Sequence, residues 1–175
     1  MFEERLPVTI DPIRLADTGR LYSGRMPMST MPRLADAVVQ CDGEASVNLE
    51  FGRDEEGARY LHARISATVT VQCQRCLQAM QQPVDTELWL GIVRNQDAAD
   101  ALASHYEPLL VGSEPLYLKD LIEDELILSL PLVPMHPQSE CNVDTKEISG
   151  AEQDNGQHSK RENPFAVLAG LKDKL

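Results

Sequence analysis

At 175 residues the chain can bury one hydrophobic core and is short for two, and its 42% apolar content excludes wholesale disorder. Only 5% of residues are aromatic, too few rings for an extended platform that stacks single-stranded nucleic acid. The net charge of −12 sets the molecule as a whole against nonspecific binding to phosphate backbones. That charge is uneven: residues 1–93 hold nine Arg, no Lys and 13 acids, whereas residues 94–175 hold seven basic residues and 15 acids. An Arg-bearing stretch (Arg5, Arg14, Arg20, Arg25, Arg33) is one candidate contact for RNA; scattered, solvated arginines are the other reading. The opening MFEERLPVTI places two acids where a secretory signal carries basic residues, and no run of about 18 apolar residues occurs anywhere. We expect a cytoplasmic protein without a membrane span, whose four cysteines (Cys41, Cys73, Cys76, Cys141) stay as thiols or bind metal.

In chain order, the pattern predicts a short strand over residues 6–10, a turn or short helix after Asp11, and a second short helix. In that second helix Thr30 is the expected N-cap, Pro32 lies in the first turn, and Leu34, Ala35, Val38 and Val39 form the apolar face. Cys41 follows as a small buried apolar residue. EASVNLEF, residues 44–51, alternates strictly, with Ala45, Val47, Leu49 and Phe51 on one face. RDEEG, residues 53–57, is a turn. Beyond it Leu61, Ala63, Ile65, Ala67, Val69, Val71 and Cys73 keep the apolar parity in a longer strand. A third run after Pro83 sets Val84, Thr86, Leu88, Leu90 and Ile92 on one side. The three strands make an antiparallel meander with one face buried and one wet.

Asn95 caps a predicted helix in NQDAADALASHY, and YEPLLV reads as a short strand interrupted early by Pro108. LKDLIEDELILSL, residues 118–130, is an amphipathic helix that stops before Pro131 and packs on the meander, with Glu123, Asp124 and Glu125 as a solvated face. The expected organisation is a single α+β domain over residues 1–135, an antiparallel meander or partly closed sheet with a few packed helices. A flexible acidic linker over residues 136–162 follows. Residues 163–175, NPFAVLAGLKDKL, form a short amphipathic helix with Asn163 at its N-cap and Phe165, Leu168 and Leu171 on one face. So short a helix is marginal alone, so this face docks either back on the domain or on another molecule.

The segment VQCQRCL, residues 71–77, poses a geometric condition. Cys73 lies on the buried face, whereas Cys76 would point to the opposite one if the strand simply continued. Joint chemistry requires a sharp turn at Gln74-Arg75. The following LQAMQQP has room for it but lacks the Gly that often follows the second Cys of a zinc knuckle.

QCQRCL closing a long alternating strand, DLIEDELILSLPLVPMHP, then Cys141 and the terminal NPFAVLAGLK resemble, in that order and spacing, the bacterial YceD family, described as large ribosomal RNA subunit accumulation proteins. The resemblance takes in LPVTIDPIRLA and runs over residues 6–172. It implies a role in the synthesis, processing or stability of large-subunit (23S) ribosomal RNA, hence in ribosome biogenesis. The partner it implies is a precursor of that RNA or a ribosome-assembly protein, with no DNA and no membrane. The family offers no catalytic residues to carry over, and the sequence has no nucleotide-binding glycine loop or methyl-donor motif, so a non-enzymatic binding factor is expected. The rival is an RNA-processing or thiol-dependent redox enzyme that uses the C-x-x-C pair.

Some relatives carry a second cysteine cluster after the acidic helix; here PMHPQSEC offers only His136 and Cys141. Cys73, Cys76, His136 and Cys141 form a Cys3His set, a recognised structural zinc combination whose convergence the fold must supply. The alternative leaves free thiols and an exposed loop histidine. Redox couples of the thioredoxin kind sit at a helix N-terminus, whereas this pair ends a strand, which argues against thiol exchange.

Overall fold

Strict alternation over residues 44–92 produces the centre of the molecule. The computed structural model describes residues 5–141 and Val143. Its strands are β1 (Thr9–Ile10), β2 (Leu21–Pro27), β3 (Glu44–Arg53), β4 (Arg59–Gln72), β5 (Ala79–Val93), β6 (Glu107–Leu110) and β7 (Leu116–Tyr117). Its helices are α1 (Pro12–Thr18), α2 (Pro32–Ala37), α3 (Gln96–Asp100) and α4 (Leu118–Leu128). The fold is α+β, as the sequence predicts. Two compact units divide the chain, Met1–Cys141 and Asn142–Leu175. The helix expected over residues 163–175, with Phe165, Leu168 and Leu171, lies outside the described residues.

Five strands form one sheet in the order β2-β3-β4-β5-β6, and β1 pairs with β7 in a separate two-stranded ribbon. Across the antiparallel ladders Leu49 faces Ala63 and Ala63 faces Leu88, so the apolar sides of β3, β4 and β5 make a continuous floor. Leu118, Ile122 and Leu126 of α4 recur at i, i+4 and i+8 and are fully buried in the same cluster as Phe51, Leu61, Ile65 and Val69. Each such side chain contributes about 1.5–3 kcal/mol by leaving water. No described helix is long and apolar enough to cross a membrane.

Several local expectations are corrected. The first strand is shorter than residues 6–10, and β2 was not foreseen: Gly24 and Pro27 interrupt the alternation of Tyr22 and Met26. β5 starts at Ala79 and contains Pro83, opposite Thr68. A proline fits there because β6 pairs only with residues 90–93, leaving the second edge of β5 unpaired at position 83. β6 itself runs parallel to β5, so the sheet is mixed. Asn95 caps α3 as expected, its Oδ1 accepting from Ala98 N at 2.9 Å.

The N-terminus of α2 departs furthest. Thr30 is not its cap; it closes a 3-10 turn, with its hydroxyl donating to the Pro27 carbonyl. Met31 holds the cap position and supplies no side-chain hydrogen bond. The orphan N–H groups are instead met by Glu123 of α4, which is 1% exposed and not part of a solvated face. Glu123 Oε1 accepts from the backbone N of Arg33 at 2.6 Å and of Leu34 at 3.1 Å, while Oε2 accepts from the Arg33 guanidinium at 3.2 Å. Asp124, exposed, pairs with the same guanidinium. Arg33 is therefore committed to α4, while Arg14 lies on α1 and Arg25 on β2.

Replacing Glu123 by Ala strips two backbone donors of their partner and leaves a cavity. Urea unfolding is expected to show a loss of about 2–3 kcal/mol, with Glu123→Gln losing less because its amide oxygen still accepts.

Candidate metal centre

The β4–β5 hairpin outruns its neighbours. β3 pairs with β4 only over residues 59–66 and β6 with β5 only over residues 90–93, so the far half of the hairpin extends to a tip at residues 73–78. There the chain reverses: Cys73 N donates to the Gln78 carbonyl and Leu77 N to the Cys73 carbonyl, both at 2.9 Å. Leu77 takes φ 60°, the left-handed conformation that glycine adopts without strain. This is the turn that strand parity requires if Cys76 is to meet Cys73, achieved without Gly.

The segment after α4 returns to this tip. Gln74 N donates to the Pro134 carbonyl at 2.8 Å, and the Arg75 guanidinium donates to the His136 carbonyl at 3.1 Å. His136 N donates to Cys73 Sγ at 3.4 Å, and Cys76 Sγ lies 3.3 Å from His136 Nδ1. With Cys141, each residue of the predicted Cys3His set offers one ligand atom within 4.8 Å of the others. Cys73 is buried and the other three are half-buried, so His136 is not an exposed loop histidine. Cys41, also buried, stands outside the group near the Met28 carbonyl. Sequence reasoning missed the backbone ties from Gln74 and Arg75 to residues 134–136, for which side-chain pattern carries no signal.

The donors fit a tetrahedral ion. Bonds of about 2.3 Å to zinc set tetrahedral edges of roughly 3.8 Å, inside the span these atoms already occupy. Burial pushes the Cys73 thiol up, but the backbone N–H groups of Cys76, His136 and Arg75 and the Cys76 thiol outweigh it and bring it down to about 5. The Gln78 N–H favours the Cys76 thiolate, yet burial and the thiols of Cys73 and Cys141 push Cys76 up. The pair ends strand β4 and does not open a helix, so no helix N-terminus favours a thiolate there, which argues against thiol exchange. Four protein donors also leave no open coordination position, which suits a structural ion rather than a catalytic one.

A family model described as "Large ribosomal RNA subunit accumulation protein YceD" matches residues 61–172, from β4 through the hairpin tip and beyond. The chain belongs to the YceD family. A relative from Haemophilus influenzae, named "Large ribosomal RNA subunit accumulation protein YceD", is 37% identical over 176 residues, covering 99% of this chain and 100% of its own. No solved structure matches.

Leu77→Gly is expected to stabilise this YceD chain by about 0.5–1 kcal/mol, because relief of left-handed strain exceeds the added freedom of the unfolded chain. A shift of the unfolding midpoint to higher urea, with metal content unchanged, is the measurement.

Proposed function

We propose that this YceD-family chain acts in the cytoplasm as a non-enzymatic factor in the accumulation of large-subunit ribosomal RNA, and that its hairpin tip is closed by a structural zinc ion. Full-length similarity to the Haemophilus influenzae protein carries the functional half. The ligand set carries the metal half: Cys73, Cys76 and Cys141 as thiolates and His136 through its imidazole would hold the ion. Zinc bound there supplies folding free energy to a tip that otherwise has two short turns and a few hydrogen bonds. Binding rather than catalysis is favoured by the closed donor set and by the structural use of Glu123, the best-buried carboxylate of α4.

The two halves are tested separately. Protein purified without chelator is expected to carry about one zinc per chain by elemental analysis, with loss of most of it in Cys76→Ser and a lowered thermal midpoint. A stoichiometry near zero overturns the metal half. Deleting the gene is expected to lower the ratio of large- to small-subunit ribosomal RNA, restored by the wild-type chain; an unchanged ratio overturns the functional half.

A further inference from the structure

The chain that leaves α4 keeps large apolar side chains in water. Leu132 is 100% exposed, Val133 57% and Met135 49%, and Val39, just beyond α2, is 60% exposed. Single exposed apolar side chains are ordinary, but Val39 and Leu132 line one groove of about 380 Å3 together with Val38, Val71, Leu130 and Pro134. Its walls are fixed by backbone hydrogen bonds. On one side Gln74 N donates to the Pro134 carbonyl at 2.8 Å; on the other, Val39 N donates to the Thr70 carbonyl at 2.9 Å and Thr70 N to the Gln40 carbonyl at 2.8 Å.

We infer that this groove receives an amphipathic helix of a basic protein partner, with apolar side chains against Val39 and Leu132 and a Lys or Arg beside Asp36. The inference deepens, and rests on, the proposal that the chain acts by binding in ribosomal RNA accumulation. A helix fits better than an added strand, because the bridge from Gln40 already occupies the outer edge of β4 at Thr70. What the groove offers is side-chain surface, which a helix meets with residues at i, i+3 and i+4.

Charge selects the partner. Asp36 is the one charged side chain among the groove's described lining residues; it is exposed, and no described residue pairs with it. Two helices also end at this groove: α2 at Ala37, and α4 at Leu128, just before Leu130 and Pro131. The carbonyl ends of helices attract cations, and neither last turn holds a basic residue, which leaves that role to the occupant. A chain of net charge −12 repels a second copy and a phosphate backbone and attracts a basic segment.

The full chain is titrated at low salt with a labelled amphipathic peptide of Leu and Lys, about 14 residues long, and with a Ser and Lys peptide of equal charge, read by fluorescence anisotropy. Saturable binding of the Leu and Lys peptide is expected, about tenfold weaker for the Ser and Lys peptide and for the Leu132→Asp variant. Leu132→Asp separates the groove from overall charge, since its added carboxylate tightens nonspecific binding of a cationic peptide while removing the apolar contact. Its fully exposed position spares the fold, as checked by circular dichroism. No saturation, equal binding of the Ser and Lys peptide, or Leu132→Asp binding as tightly as wild type overturns the inference. Light scattering is expected to show a monomer; a dimer that Leu132→Asp dissociates gives the groove to a second copy instead. A changed ribosomal RNA ratio on gene deletion together with a failed titration sinks the groove alone, whereas an unchanged ratio sinks the functional proposal whatever the titration shows.

Discussion

The contact between the hairpin tip and the chain returning from α4 joins residues 60 positions apart, Cys76 and His136. Closing a free loop on the order of 60 residues costs roughly 4 kcal/mol in chain entropy, more than the few tip hydrogen bonds offset at about 1 kcal/mol net each. The core changes that arithmetic. Leu118, Ile122 and Leu126 anchor α4 under the sheet, so the length left to close between Leu126 and His136 is about ten residues, costing roughly 3 kcal/mol. The hydrophobic floor therefore brings the four candidate ligands together, and packing nearly closes the loop by itself.

Glu123 performs the matching task at the other flank of α4. A buried carboxylate is tolerated only when its lone pairs are met, and here two backbone N–H groups of α2 and the Arg33 guanidinium meet them. The exchange is reciprocal: α2, six residues long with methionine at its cap, has no side chain of its own to satisfy its first turn. The two helices are thereby fixed in register as well as packed, since a shift of either by one residue would strand both the carboxylate and the amides.

The three long strands, their buried parity and α4 were legible because periods of 2 and 3.6 survive in the side chains themselves. Parity also gave the condition at Cys76, namely a sharp turn after Cys73, which residues 74–77 satisfy. What stayed hidden depends on partners distant in sequence. Glu123 lies about 100° around α4 from the centre of its apolar stripe, so nothing local separates it from Asp124 until α2 is placed beside it. β2 hides because Gly24 packs inward where a larger residue would have marked the face. The meeting of His136 and Cys141 with the hairpin was readable as a ligand set, while the path bringing them there runs through backbone hydrogen bonds that leave no trace in residue type.

One hairpin carries two of the four candidate ligands, Cys73 and Cys76, at its tip and the Trp89–His62 stack at its sheet end, and the two are far apart. From His62 to Cys73 is 11 residues of extended chain, on the order of 35 Å. At the His62 end β4 is held on both sides, by β3 through Glu50 and by β5 through Trp89, so that register is set by the sheet and the core beneath it. At the tip β3 has already ended, and a single isolated bridge from Gln40 to Thr70 flanks β4 on that side. Loss of the tip's contacts with residues 134–136 would fray the tip, while the sheet at the His62 end, pinned three strands wide, would keep its shape. Local stability thus falls along the hairpin from His62 toward Cys73, where beyond the Gln40–Thr70 bridge only the returning segment at residues 134–136 flanks it.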